Sequence, residues 1–387
     1  MGWIVPENKL DEQQRHFIEN VNLEQKNVWI KGFPGSGKSV LLAYSLKKIK
    51  RDHPDAKVVV VVFTQSLIKM FQTAFAEMGV VAKIITFYSF MDGDDHYDYI
   101  LSDEVQDMTV RVLQEMNRRA DHVVVAGDEH QSIYESDPKY KEPTVTTSQI
   151  KELLSANDYE LGIIHRLSSS IISAIQRFLP NMNVFSAKRD LSKQSTQIRL
   201  CEAASKQEEA EYVFKEAKKA INVGQTAAIL VPAHEGVLSI VQNILSSEGK
   251  KEWPVSNNSY GKPDYQAMND YLSQNGIPIQ YVGNGYGSFS EDTRKITVMT
   301  YHSSKGLDFD NVFLPGLDNT LSISRNESLG KTLFMVAMTR SRNNLYLTYS
   351  GAYRHPYVKN FSSDCSNINI HDYLSGQNFG AENIFGF

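Results

Sequence analysis

Gly32-Phe-Pro-Gly-Ser-Gly-Lys38-Ser39 decides how this chain is read. The stretch fits the pattern G-x-x-x-x-G-K-[ST], and its flanks supply the required context. Asn27–Lys31 reads as a short buried strand. Val40–Lys50 reads as a helix that turns Val40, Leu41, Ala43, Tyr44 and Leu46 inward. Glycines let backbone N–H groups close around phosphate oxygens, and the helix that follows aims its positive dipole end at them. Gly35, Ser36 and Gly37 are the expected cradle for ATP. Lys38 is expected to reach the β- and γ-phosphates, and the Ser39 hydroxyl to ligate Mg²⁺.

Other apolar runs end in polar residues, as parallel strands do when they present their loops to ligand. Val58–Phe63 runs into Thr64, and Ile84–Phe87 carries Thr86. Tyr99–Ser102 runs into Asp103-Glu104, adjacent carboxylates of which the first suits Mg²⁺ and the second activation of a water for attack on the γ-phosphate. The competing reading is a solvated acidic helix start; the phosphate loop upstream in the same sheet favours the former. His122–Gly127 leads to Gln131, placed to contact the γ-phosphate, and to Tyr134, which reads either as a nucleobase contact or as an ordinary half-buried tyrosine. Upstream, Asp11 can cap a helix carrying Gln14, which reads as an exposed polar residue or as a reader of adenine through its amide.

With 387 residues there is room for two or three domains. The net charge of -5 restricts any nucleic-acid path to a local groove in an acidic body. Cys201 and Cys365 lie far apart without metal-ligand spacing, which suggests reduced thiols in a cytoplasmic protein. No run reaches the roughly 18 apolar residues of a membrane span. The opening Met1–Glu7 lacks the basic and apolar regions of a signal peptide.

The second half repeats the strand-and-helix plan. Ile296–Thr300 is a strand leading to Tyr301, His302, Lys305 and Asp308. Leu333–Arg342 reads as a helix, and Leu345–Tyr349 as a closing strand. The organisation expected is a domain over residues 1–155, a second over 156–351, and a polar tail over 352–387, ordered in part at best. No internal repeat is evident.

Taken together, these motifs resemble superfamily 1 helicases of the UvrD/Rep type, in that family's order from Leu10 to Tyr349. Leu10–Arg15 is similar to its adenine-reading motif. Val62–Gln65 and Thr86–Phe90 are similar to its strand-contact motifs, Asp103–Asp107 to D-E-x-Q-D, and Gly127–Tyr134 to G-D-x-x-Q-S-I-Y. Thr300–Phe309 is close to T-x-H-x-x-K-G-L-E-F, and Val336–Arg342 to V-A-x-T-R-A-[KR]. The resemblance implies an α/β protein of two RecA-like P-loop NTPase domains with parallel sheets and ATP in the cleft between them. It implies a catalytic set of Lys38, Glu104, Gln131, Arg166 and Arg340, the two arginines coming from the second domain. His165 and Asp308 are implied at the adenine and ribose, and Thr64, Thr86, Tyr134, Thr300 and His302 along single-stranded nucleic acid, DNA ahead of RNA.

This chain departs from the family in several places. Ile164-His165-Arg166 stands for Asn-Tyr-Arg, Asp308 for a glutamate, and Glu135-Ser136-Asp137 follows Tyr134 where the family carries a tryptophan. Met91–Asp98 occupies the place of one large inserted subdomain, and Lys251–Asp292 is too short for the other. The expected function is an ATP-dependent single-stranded DNA translocase or helicase, with 3′-to-5′ movement implied by the family. The alternative is an ATP-driven switch working on a partner nuclease or effector in DNA repair or phage defence. A small-molecule P-loop kinase does not account for His302, Lys305 or Arg340.

Overall fold

The computed structural model describes residues 4–128, 132–137, 139–180, 188–189, 195–287 and 294–376. The chain forms two compact units that divide after Leu167, with Lys188–Arg189 belonging to the first.

The first unit is a parallel sheet. Its strands are β1 (Val28–Gly32), β2 (Val58–Val62), β3 (Lys83–Thr86), β4 (Tyr97–Ser102), β5 (Ala120–Gly127) and β6 (Asn157–Leu161), in the spatial order β3-β2-β4-β5-β1-β6. Its helices are α1 (Glu12–Asn20), α2 (Lys38–Asp52), α3 (Gln65–Met78), α4 (Phe87–Met91), α5 (Val110–Arg118) and α6 (Thr147–Leu154). The five valines of β2 explain the layering. Val58, Val60 and Val62 enter one core with Leu41, Leu46 and Phe71. Val59 and Val61 enter the other with Phe90, Leu113 and Met116. A strand without alternation is a strand with helices on both faces.

The boundary expected at residue 155 lies further on. Asn157–Leu161 is mostly exposed and carries no apolar alternation, yet it pairs with β1 as the sheet's edge. The Asn27 amide fixes the join by donating to the Leu154 carbonyl at 2.8 Å. A two-residue ribbon of β7 (Ile163–Ile164) and β8 (Lys188–Arg189) follows.

The Met91–Asp98 connection is closed by one buried side chain. Arg119, 2% exposed, donates to the carbonyls of Phe90 (2.7 Å), Gly93 (2.9 Å) and Asp95 (2.9 Å). Its guanidinium lies 4.1 Å over the Phe90 ring.

The second unit is also parallel. It comprises β9 (Gln197–Ala203), β10 (Ala227–Val231), β11 (Ile279–Tyr281), β12 (Ile296–Thr300), β13 (Phe309–Leu314), β14 (Ser341–Ser350) and β15 (Ser366–Asn369), in the order β11-β12-β10-β13-β14-β9-β15. Its helices are α7 (Ser169–Phe178), α8 (Lys206–Asn222), α9 (His234–Ser247), α10 (Tyr265–Gln274), α11 (Glu327–Met338), α12 (Pro356–Lys359) and α13 (Ile370–Ser375).

One expected element changes here, and others are added. The helix expected over Leu333–Arg342 ends at Met338, and Arg342 lies in β14. Helix α10 falls in a stretch with no expected element, although the Asp264 cap and the apolar spacing Tyr265, Met268, Leu272 signal it. The supposed tail is folded through residue 376: β15 pairs with β9, and Ile370 is buried in the core with Tyr212 and Val213. Residues 377–387 lie outside the described residues.

Candidate nucleotide site and strand-facing residues

In the first unit the phosphate loop leaves β1 and enters α2 through Gly37, which is left-handed (φ 92°). Glycine is required there, since a Cβ would sit 2.3 Å from the Gln14 side-chain nitrogen. Gly35 is also left-handed, and a Cβ on it would strike Arg166 at 2.4 Å. The Ser36 hydroxyl oxygen is buried and has no hydrogen-bond partner among the described residues. A backbone cradle with a buried polar atom left over fits a phosphate group.

The Lys38 ammonium sits at the mouth of the loop, donating to the carbonyls of Gly32 (2.9 Å) and Phe33 (3.1 Å). Burial lowers its pKa, opposed by Asp128, Glu104 and Asp103. The Ser39 hydroxyl donates to Asp103 at 2.6 Å across the sheet. Burial, and then the adjacent Glu104, push the Asp103 carboxyl up to about 6. A divalent cation here would relieve that charge with one hydroxyl and one carboxylate from the protein, leaving positions for phosphate and water.

Glu104 itself adopts φ 54°, ψ 42°. A non-glycine residue in this region costs about 1–3 kcal/mol and persists where the surroundings enforce it. Those surroundings are visible: its N–H donates to Asp103 Oδ1 at 2.9 Å, and its carboxylate accepts from Gln106 at 2.6 Å. Gln106, 3% exposed, also accepts from the Asp128 N–H at 3.1 Å, so it joins Glu104 to the end of β5. Gln106 has no role in the expected site. The signal for one was Gly127, where a Cβ would lie 2.5 Å from the Gln106 amide oxygen.

Gln14 is 3% exposed, which removes the exposed-residue reading. Its amide oxygen accepts from the Asp11 N–H at 3.1 Å, and its amide nitrogen donates to the Ser36 carbonyl at 3.2 Å. The same group therefore caps α1 and steadies the phosphate loop. Asp11 in turn contacts His165 at 2.5 Å. His165 and Arg166, expected from the second domain, belong to the first unit, and both backbone N–H groups donate to the Gly35 carbonyl (2.9 and 3.1 Å). The reason is the β6 pairing, which carries the chain back beside the phosphate loop. Gln131 lies outside the described residues.

Thr64 follows β2 and Thr86 ends β3; each hydroxyl accepts a backbone N–H at 3.3 Å and so caps the following helix. The Tyr134 ring is half-buried and stacks on Phe63 with centroids 4.7 Å apart.

In the second unit Thr300 ends β12 and caps the turn that follows, accepting from the Ser303 N–H at 3.2 Å. That turn carries His302, half-buried, and Lys305, 3% exposed. Asp308 is paired with Arg342. Arg340 is 1% exposed. It donates to the carbonyls of Val336 (2.8 Å) and Leu307 (3.0 Å) and to the Thr339 hydroxyl (2.9 Å).

Comparison with known proteins agrees with this geometry. Residues 261–352 match the UvrD-like helicase C-terminal domain, and residues 14–137 match an AAA domain. A 63-residue stretch is 40% identical to "RecBCD enzyme subunit RecB" of Chlamydia pneumoniae. That stretch covers 16% of this chain and 6% of the relative. In these two regions the chain is similar to UvrD-like superfamily 1 helicases. Its two parallel α/β units have the RecA-like fold class. No helix among the described residues is long and apolar enough to cross a membrane.

Proposed function

We propose that the protein is an ATP-dependent motor on single-stranded DNA, a translocase or helicase moving 3′ to 5′. The observation that carries this reading is the joint placement of Lys38, Ser39, Asp103 and Glu104 around one glycine cradle. Lys38 and the loop N–H groups bind the β- and γ-phosphates of ATP. Ser39 and Asp103 hold Mg²⁺, which when bound supplies charge neutralisation on the phosphoryl oxygens. Glu104, steered by Gln106, takes a proton from the attacking water, and a γ-phosphate role is assigned to Gln131 by the resemblance. Arg166, next to Gly35, supplies positive charge from the first unit itself. The roles carried over from the resemblance are adenine for Gln14 and His165 and ribose for Asp308. Arg340 is the arginine assigned to ATP from the second unit, and three of its five N–H donors fasten it to Leu307, Val336 and Thr339. Thr64, Thr86, Tyr134, Thr300 and His302 lie at or after the C-terminal ends of strands, where phosphate and sugar contacts position a nucleic-acid strand without reading its sequence.

ATP turnover measured with no nucleic acid, single-stranded DNA, single-stranded RNA and duplex tests the reading. Stimulation by single-stranded DNA, abolished in Glu104→Gln, is expected. Turnover indifferent to all three sinks it.

One observation favours a second reading, an ATP-driven switch subunit. Arg119 seals the connection where the resembling helicases carry an accessory subdomain, so strand separation would fall to a partner. The likeness to a stretch of RecB, named as a subunit, points to a repair or nuclease complex. ATP turnover without strand stimulation, restored by a copurifying protein, is the outcome that selects it.

A further inference from the structure

The tryptophan that follows Tyr134 in the resembling family is absent, but aromatic surface returns to the same edge of the first unit. Rings run in sequence from Tyr134 to Phe63 (4.7 Å), Phe87 (5.2 Å), Tyr88 (3.9 Å) and Tyr140 (5.8 Å). Phe87 is fully buried, whereas Tyr88 and Tyr140 are half-buried. The row lies past the ends of β2, β3 and β5, the side on which parallel sheets present their ligand loops.

Cations accompany the outer rings. The exposed Lys139 places its ammonium 5.2 Å from the Tyr88 centroid and 4.8 Å from that of Tyr140. The Arg111 guanidinium lies 4.6 Å over Tyr140 and is also paired with Glu142 at 2.9 Å. The segment bearing Tyr140 is set in place by Asp137, 1% exposed. One carboxylate oxygen accepts from the N–H groups of Lys139 (3.0 Å) and Tyr140 (2.5 Å), the other from the Tyr88 hydroxyl at 2.6 Å. The two tyrosines are therefore held in one arrangement by a single buried carboxylate.

We infer that Tyr88, Lys139 and Tyr140 form a second stacking platform for a single strand, beside Tyr134 and in place of the missing tryptophan. The inference rests on the reading of the chain as a strand-driven motor. Flat faces tolerant of any base, with an ammonium alongside to meet a phosphate, are what sequence-independent single-strand binding uses. A base lies against the open part of the Tyr140 ring, and Lys139 meets the adjoining phosphate.

The test is titration of oligo-deoxythymidine carrying 2-aminopurine, at several salt concentrations, with the whole chain and with Tyr140→Ala, Tyr140→Leu, Tyr140→Phe and Lys139→Ala. Tyr140→Ala and Tyr140→Leu should weaken binding by about 5- to 150-fold, the range of one lost stacking contact. Tyr140→Phe should restore it, and Lys139→Ala should reduce the salt slope by about one. Melting temperature is measured alongside. If Tyr140→Leu lowers stability and leaves affinity and quenching intact, the ring is structural and the inference is wrong while the motor reading stands. An unchanged slope in Lys139→Ala together with unchanged affinity in Tyr140→Leu overturns the inference in the same way. Failure of the unmodified chain to bind at low salt overturns both.

Discussion

Replacing Arg340 with alanine separates two roles that one side chain could hold. From the family resemblance alone, the expectation is lost turnover with normal folding. The structure leads to a different outcome. At 1% exposure the guanidinium donates to the Val336 and Leu307 carbonyls and to the Thr339 hydroxyl, and the Arg340 carbonyl accepts from the Phe309 N–H at 2.8 Å. Thr339 and Val336 keep one another, since the Thr339 hydroxyl donates to the Val336 carbonyl at 2.8 Å. The Leu307 carbonyl loses this donor. Hydrogen bonds to charged groups are worth about 1.5–3 kcal/mol each, and deletion returns part of the cost of burying the charge. A net loss of about 2–4 kcal/mol follows, which for a unit of this size is roughly 5–15 °C in melting temperature. The assay is thermal unfolding followed at the second unit's tryptophan, Trp253, which is buried there, with ATP turnover measured on folded protein. Arg340→Ala melting like the unmodified chain refutes the structural role and returns Arg340 to a purely catalytic one.

Three further outcomes can be checked directly. Lys38→Ala should weaken ATP binding, while Glu104→Gln should bind ATP normally and lose about 10²–10⁴ in turnover, read by equilibrium binding beside steady-state kinetics. Gln14→Ala should cost roughly 1–3 kcal/mol by removing a capping-box partner and the bond to Ser36, and should raise the apparent KM for ATP through a looser phosphate loop. His355 titrates with a definite sign. Burial lowers its proton affinity, its Nδ1 accepts from the Tyr357 N–H at 3.2 Å, and its other nitrogen faces the Leu321 carbonyl at 3.2 Å, the pattern of a neutral ring. The unfolded chain therefore takes up the proton first as pH falls through about 6.5, so stability of the second unit should drop below that pH. His234 adds to the drop with the same sign. Melting curves from pH 7.5 to 5.5 should be flatter in His355→Asn, and an unchanged slope would refute the assignment.

The phosphate loop and the all-valine strand were legible because backbone chemistry and two-sided burial leave marks in residue type. Gly35, Gly37 and Val58–Val62 sit where the pattern put them. The strand β6 was not legible, because an edge strand with one open face needs neither apolar alternation nor a buried run. Missing it moved His165 and Arg166 to the wrong domain. Gln14 and Gln106 show a second limit. An amide's partners are set by tertiary placement, so sequence named one of them for adenine and passed over the other.

The joining of β15 to β9 bears on how the protein behaves when cut. Ser366-Asn-Ile-Asn369 is short, polar and largely exposed, a poor template for another chain. Beneath it, Gln197–Ala203 is an apolar strand with Ile198, Leu200 and Cys201 buried. A chain ended at Gly351 would bare the backbone of Arg199–Glu202 along a longer, more apolar edge, while α13 would no longer cover Tyr212. Such a fragment keeps every motif of the motor and loses its defence against edge-to-edge association. Trimming the polar C-terminal segment to simplify the protein would then yield aggregates rather than a smaller enzyme.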